Sequence, residues 1–392
     1  MSTPTIAIIG AGAAGTSAAK TLRAASPDID IDLFTRTGER PFNRMLINKG
    51  VATGLITPDQ AALPDTGATV RADTVRGIDP RTRELHLDSG ASRAYDALII
   101  ASGSRPRVLD EAIIGRDQAI RAGRLTTLHS LADAVGVRDL VAAHTPSRVL
   151  MLGGGLVASE TASLLTDDGH DVAMITRSPL PGAAAIGEHA ARRLLDLHRP
   201  QHAAYLGRTP VAIRTHDDRI TIALDDGTRA EGDLAIVAHG TLPAAPAPWT
   251  GPEGIAVDSR MRVMVAPQQR IYAAGGVAVH HYPRHGSYRI DHWDDSTAQG
   301  THAAAAVLHD HGLGDDPGTY LPSSPFTARI HGHTFTGAGH PALGTSTRVI
   351  STEPLLVAHL LGDIEVALTG IDATRLVHDR TGALHAQVTA PS

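Results

Sequence analysis

The stretch Thr5–Gly15, TIAIIGAGAAG, decides how the rest of the chain is read. Its first five residues are mostly β-branched and suit a strand buried on both faces. The run leads without a break into Gly10, Gly12 and Gly15 at G-x-G-x-x-G spacing, and Ala18, Ala19 and Leu22 follow at helical spacing. Between a strand and a helix each glycine has a task. Gly10 permits the tight turn, Gly12 lets backbone approach a pyrophosphate, and Gly15 lets helix and strand pack closely. The helix start offers unpaired N–H groups and the positive end of its dipole to the phosphate. A second strand over Ile29–Phe34 completes a βαβ unit.

The construction recurs. Arg148–Leu152 runs into Gly153-Gly154-Gly155-Leu156-Val157-Ala158, and Asp171–Thr176 supplies the second strand. Ala158 stands where the third glycine is expected, a replacement the fingerprint tolerates. A further repeat aligns Glu84–Pro106 with Thr221–Pro243 without a gap, pairing Asp88 with Asp225, Gly90 with Gly227, Asp96 with Asp233, Ala101 with Ala238 and Gly103 with Gly240. Each copy reads as a hairpin followed by a buried strand returning to the nucleotide sheet. The chain therefore carries two related dinucleotide modules.

Composition narrows the chemistry. The 392 residues, 42% apolar and 19% charged, allow several domains with substantial cores. A net charge of −6 argues against non-specific nucleic-acid binding. No apolar run approaches the ~20 residues that span a bilayer. A strand starting at Thr5 leaves little room for a signal peptide, so no membrane role and a cytoplasmic location are the default expectations. With no cysteine, redox disulfides, cysteine-ligated zinc and iron–sulfur centres are excluded. Redox chemistry here needs a bound carrier, and two dinucleotide sites point to a flavin fed by a nicotinamide.

Several motifs now line up with a known family. Arg40–Lys49 (RPFNRMLINK) is similar to RPYxRPxLSK, and Tyr95-Asp96 through Ala101, Gly103 and Pro106-Arg107 to YDxLxxATGxxPR. Gly155–Glu160 matches GxxGxE apart from Ala158, and Arg270–Gly275 resembles a strand closing the flavin domain. Arg289-Ile290-Asp291-His292-Trp293, followed by Ala298-Gln299-Gly300, is similar to an ExW…AxxQG element. Over residues 5–345 the chain resembles FAD-dependent pyridine nucleotide reductases of the ferredoxin reductase type, relatives of glutathione reductase without its redox disulfide.

The resemblance implies an α/β fold with two Rossmann-like dinucleotide-binding domains of glutathione-reductase type and a smaller α+β C-terminal domain. An FAD domain is expected over residues 1–115 and 240–318, an NAD(P)H domain over 116–239, and a C-terminal interface domain over 319–392. Gly10, Gly12, Gly15, Arg44, Ala101, Gly103, Gly240, Gly275, Gly276, His292 and Trp293 are expected around FAD, and Gly153, Gly155, Thr176 and Arg177 around the nicotinamide nucleotide. The resemblance also pairs Lys49 with Glu160 as catalytic residues beside the two rings. There Lys49 would stabilise negative charge near flavin N5 and Glu160 would orient it. The helix after Trp293 would aim its positive end at the flavin N1/O2 edge.

Three departures matter. The acid that usually meets the FAD ribose is replaced by Arg36 and Thr37, with Asp32 and Glu39 displaced from it. Gly275-Gly276 stands where the family has Gly-Asp, and Gly276 has no side chain to anchor a ribityl chain. Thr176-Arg177 stands where an NAD site places an acid, which favours NADPH, with NADH as the alternative. Among 22 histidines, His280, His281, His285, His309, His311, His331 and His333 read as solvated loop residues, so no metal is expected. His239 and His292 lie inside motifs where a ring can touch a cofactor or carry a proton.

The leading expectation is transfer of electrons from NAD(P)H through FAD to a ferredoxin-type iron–sulfur protein that serves an oxygenase. Arg284, Arg289 and Arg329 are candidates for a basic docking face toward that acidic partner. Other expectations are a small-molecule substrate, or a degenerate partner subunit with weakened FAD binding. A homodimer is compatible with the C-terminal domain.

Overall fold

The computed structural model describes residues 4–36, 40–266, 268–282, 286–322 and 324–389, so Thr37, Glu39, Arg284 and His285 lie outside the described residues. The described residues form seven α-helices: α1 (Ala13–Ala25), α2 (Arg116–Arg121), α3 (Leu131–Ala143), α4 (Leu156–Asp167), α5 (Ala183–His198), α6 (Trp293–Asp310) and α7 (Thr374–Thr389). None is long and apolar enough to cross a membrane. The chain divides into two compact units, one of residues 1–43, 62–105 and 241–324, the other of 44–61, 106–240 and 325–392.

The first unit is built on a parallel five-stranded sheet in the order Ile271–Ala273, Ala97–Ile100, Thr5–Ile9, Asp30–Thr35, Thr69–Ala72. Ile6, Ile8, Leu33, Ile99 and Ile100 are fully buried, as strands covered on both faces require. The helices α1 and α6 pack against each other. Gly300 makes this possible, because a Cβ there would meet the Ala14 carbonyl oxygen at 2.1 Å.

The second unit repeats the plan with a parallel sheet ordered Ala203–Leu206, Asp171–Thr176, Arg148–Leu152, Leu234–Val237, Leu125–Thr127. Each module also carries a three-stranded antiparallel meander, Val75–Ala94 in one and Pro210–Gly232 in the other. The repeated aspartates do the same work in both. Asp96 Oδ2 accepts from Thr5 N at 2.8 Å, and Asp233 Oδ2 accepts from Arg148 N at 2.6 Å, so each ties down the start of its module's first strand.

The C-terminal segment forms an antiparallel five-stranded sheet, ordered Phe326–Ile330, His333–Gly339, Ile364–Ile371, Leu355–Leu361, Ser346–Thr352. Strand alternation gives this sheet two apolar faces. Ala328, Ile330, Phe335 and Ile371 pack on Ile186, Ala190 and Leu194 of α5, while Ala338, Leu356 and Leu368 pack on Val377 and Leu384 of α7. This sheet therefore belongs to the same compact unit as the second nucleotide module, and segment 44–61 falls in that unit too.

Candidate functional site

In the first unit, the three glycines of the N-terminal turn are distinguished by what surrounds them. Gly10 has φ +101°, and a Cβ on it would lie 2.3 Å from the Ala101 carbonyl oxygen. A Cβ on Gly15 would lie 1.8 Å from the Gly10 carbonyl oxygen, so α1 starts against the turn itself. A Cβ on Gly12 would meet nothing within 4 Å, and Gly103 faces equally open space. Gly12 caps α1 without a side-chain hydrogen bond, and the first turn holds no acid. The first-turn amides are thus left for an anion, and the cradle fits a dinucleotide pyrophosphate.

The second unit contains the same device. Gly153 has φ +142°, and a Cβ there would lie 2.4 Å from the Ala238 carbonyl oxygen, the repeat counterpart of Ala101. Gly155 faces open space and caps α4 without side-chain help, again with no acid in the first turn. Gly240, counterpart of Gly103, has φ +83° with nothing within 4 Å of an added Cβ. The helix α3 shows the ordinary alternative, since Ser130 and Asp133 close its N-terminus as a capping box. Ala158, at the third position of the motif, is fully buried.

At the end of strand Asp171–Thr176, Thr176 is buried and its hydroxyl donates to the Ser178 carbonyl oxygen at 2.7 Å. That hydrogen bond ties the strand end to the turn that follows it. Arg177 is exposed and near His239, whose pKa is lowered by desolvation and by the Arg177 charge.

The Gly275-Gly276 turn of the first unit explains one departure. Gly275 has φ +77°, and its N–H donates to Gln299 Oε1 at 2.6 Å. Gln299 Nε2 and the Tyr320 hydroxyl both donate to Asp295, the latter at 2.7 Å. Burial raises the Asp295 carboxyl pKa above the ordinary carboxylate value. This chain from Tyr320 to the turn was not legible in the sequence. At Gly276 an added Cβ would lie 2.3 Å from Asp291 Oδ1. The carboxylate missing at 276 is therefore matched by one arriving from 291, held by the Thr241 hydroxyl and flanked by Arg289 at 3.6 Å.

Arg289 donates to Gly276 O at 2.7 Å and to Thr241 O at 3.1 Å, so it serves this turn and is not a free docking cation. Arg329 is exposed. Asp32, the displaced acid, is buried in an ion pair with Arg71 at 2.6 Å, and Arg36 is exposed beyond the strand end. His292 is the N-cap of α6 and Trp293 its first residue; both are half-buried, and Asp294 and Asp295 share the first turn.

Lys49 and Glu160 meet within the second unit. Lys49 lies on a single π-helical turn, Ile47–Val51, that packs against α4. Its Nζ is 3.0 Å from Glu160 Oε1, with the Glu160 side chain 8% exposed and the Lys49 side chain 32%. Asn48 Nδ2 donates to Glu160 Oε2 at 3.1 Å, and Arg329 N donates to Oε1 at 3.1 Å. Three donors fix the carboxylate, leaving a half-exposed ammonium held in one place. Such a group can stabilise negative charge developing beside it. Arg44, at the start of segment 44–61, is half-buried.

The histidines correct the sequence reading. His280 is buried, and burial lowers its pKa to about 4. His309 and His311 close α6 and do not lie in a loop. His331 is half-buried beside His198 and His202. The only sequence sign of this cluster is the four-residue spacing of His198 and His202; His331 is too distant along the chain to be foreseen.

Residues 4–300 match the family described as pyridine nucleotide-disulphide oxidoreductase. The ferredoxin–NAD(+) reductase component of the biphenyl dioxygenase system from Paraburkholderia xenovorans is 28% identical over 397 residues, covering 95% of this chain and 90% of that protein. In the covalent putidaredoxin reductase–putidaredoxin complex, a chain aligns with a TM-score of 0.88 at 21% identity, over 99% of this chain and 94% of that one. An engineered water-forming NADPH oxidase bound to NADPH, a mutant of the Lactobacillus brevis water-forming NADH oxidase, aligns with a TM-score of 0.80 at 20% identity. That alignment covers 98% of this chain and 91% of the oxidase.

Proposed function

The chain belongs to the pyridine nucleotide-disulphide oxidoreductase family, and on that premise we propose that it uses NADPH and FAD to pass electrons to a ferredoxin-type iron–sulfur protein serving an oxygenase. The observation that carries this reading is the pair of uncapped glycine cradles in a chain without cysteine. Membership implies FAD and a nicotinamide nucleotide, and without an internal disulfide the electrons have an external acceptor. The relative from the biphenyl dioxygenase system is named for such a role. FAD, when bound, supplies a hydride acceptor that can release electrons singly.

In this reading the α1 amides beside Gly12 hold the FAD pyrophosphate, and Asp291 replaces the ribityl anchor that Gly276 lacks. Removing the Asp291 carboxylate by Asp291→Ala is expected to weaken FAD binding about 10- to 100-fold, the scale of a hydrogen bond to a charged group. Lys49 keeps positive charge where the cofactor gains negative charge, and Glu160 orients it.

Arg177 selects the 2′-phosphate of NADPH. In support, the engineered NADPH oxidase carries glycine-to-alanine, aspartate-to-alanine, alanine-to-arginine and methionine-to-serine changes at the mutual spacing of Ala158, Thr176, Arg177 and Ser178 here. Its fifth change, proline to arginine, falls by the same spacing at Ala183. The biphenyl dioxygenase relative is instead named for NAD(+), so the ratio of kcat/KM for the two nucleotides decides the preference.

NADPH-driven reduction of cytochrome c through added ferredoxin tests the function. A flavin-loaded protein that NADPH reduces but that stays inert toward a panel of ferredoxins would refute the acceptor.

A further inference from the structure

The last residue of α5 is His198, and the backbone continues in helical conformation through Arg199. The amides of Gln201 and His202 both donate to the His198 carbonyl oxygen at 2.9 Å. His202 therefore follows one turn after His198 and shares its face. The third histidine arrives from the C-terminal sheet. Strands Phe326–Ile330 and His333–Gly339 are joined by His331-Gly332, with φ +49° and +80°, a two-residue hairpin turn with both centres left-handed. Glycine or asparagine meets that demand more readily than histidine does. Ser163 of α4 fixes the turn by accepting from His331 N at 2.7 Å.

The three rings form a nearly equilateral triangle, with centroids 5.2, 4.9 and 5.0 Å apart. Imidazoles bound to one tetrahedral zinc at its usual ~2.0–2.1 Å keep centroids about 5 Å apart. One ring nitrogen from each residue lies within 4.8 Å of the other two, and His198 Nδ1 is 2.9 Å from His331 Nε2. Two nitrogens on such an ion sit about 3.3 Å apart, a distance side-chain rotation can reach. His198 is 1% exposed and His202 6%, and in each the Nε2 atom is buried without a partner. His198 Nδ1 is engaged by His331 and His202 Nδ1 lies 3.4 Å from the Thr166 hydroxyl, so it is the two Nε2 atoms that stay unsatisfied; an ion ligated through them offers them a partner.

We propose that His198, His202 and His331 bind one divalent transition-metal ion of the zinc class, with an exchangeable water as fourth ligand, clipping the hairpin turn to the C-terminal end of α5. Burial, the largest cause for each, holds all three imidazoles below their ordinary pKa, in the unprotonated form that ligates metal. The set is all nitrogen, which suits zinc, cobalt, nickel or copper over magnesium or calcium. The hairpin strand ending at Ile330 also carries the Arg329 amide bound to Glu160, so the ion would steady a support of the Lys49–Glu160 pair. The inference is independent of the electron acceptor and of NADPH preference.

The test uses full-length, untagged protein, stripped with a chelator and titrated with Co²⁺, then with Zn²⁺. The expected result is one Co²⁺ per chain with the intense visible bands of a four-coordinate ion, displaced by Zn²⁺. Zn²⁺ should also raise the unfolding temperature by at least about 3 °C at saturating concentration. His331→Asn suits the left-handed turn while removing the imidazole, and His202→Ala removes a second ligand. Both should lose affinity at least 100-fold, with the circular dichroism of the metal-free protein unchanged. Absence of stoichiometric binding, or binding that survives both variants, overturns the proposal.

Discussion

The two open-sided and closed-sided glycines of the N-terminal turn predict opposite effects from the same added methyl group. In Gly15→Ala the new carbon would lie 1.8 Å from the Gly10 carbonyl oxygen, about 1.6 Å inside the 3.4 Å where ordinary contact begins. Its neighbour is backbone and cannot rotate away, so α1 must move off the turn, at an overpacking cost of about 1–3 kcal/mol or more. In Gly12→Ala the methyl meets nothing, and the backbone at φ −78°, ψ −163° suits any residue. The poorer fit of alanine at an N-cap opposes the gain from the restricted unfolded chain, so the metal- and flavin-free protein should stay within about 1 kcal/mol of wild type. FAD binding should nevertheless suffer, because the methyl occupies the approach of the pyrophosphate. Losing one or two charge-assisted hydrogen bonds, about 2–4 kcal/mol, weakens binding roughly 30- to 1000-fold. Thermal unfolding of apoprotein and fluorescence titration with FAD read the two quantities separately. Wild-type FAD affinity in Gly12→Ala would refute the cradle, and an unperturbed apoprotein in Gly15→Ala would refute the packing argument.

Other perturbations probe the second unit and the buried histidines. Glu160→Gln removes the charge partner of Lys49 while keeping the side-chain shape; stopped-flow reduction by NADPH should slow at least about tenfold, with NADPH affinity changed less than about threefold. Equal rates in the two proteins would remove Glu160 from the chemistry. Arg177→Ala should lower kcat/KM for NADPH by about 10- to 100-fold and leave NADH nearly unaffected, as loss of a guanidinium–phosphate contact predicts. Parallel losses with both nucleotides would make Arg177 merely structural. His280 and His359 are buried with pKa values lowered to about 4, His280 by burial with His302 nearby and His359 by burial with His189 nearby. Unfolded histidines titrate near 6.5, so the unfolded chain binds more protons between that value and about 4, and stability is lost as pH falls through this window. His359→Gln should flatten the decline in unfolding temperature, and an identical pH profile would show that His359 does not contribute.

Both nucleotide modules were legible in the sequence because their signals are local. A β-branched run, a glycine turn and a helical stripe lie within about twenty residues of one another. The tasks of Gly10 and Gly15 follow from that short-range grammar, whereas the strand order and the contacts that Asp96 and Asp233 make, 91 and 85 positions along the chain, were decided by packing. The pairing of Lys49 with Glu160 was reached by resemblance and not by spacing, since 111 positions separate them. Tertiary structure alone decided which carboxylate fills the space at Gly276, because Asp291 arrives from the segment that leads into α6 and no periodicity links the two. It also decided that Thr176 turns its hydroxyl inward and that Arg289 is spent on a backbone turn. The three-histidine triangle belongs to the same class: two members share a helical face, but the third is delivered by a hairpin more than a hundred residues later. Sequence fixes conformation where neighbours along the chain interact; contacts made after long loop closure depend on how whole elements pack.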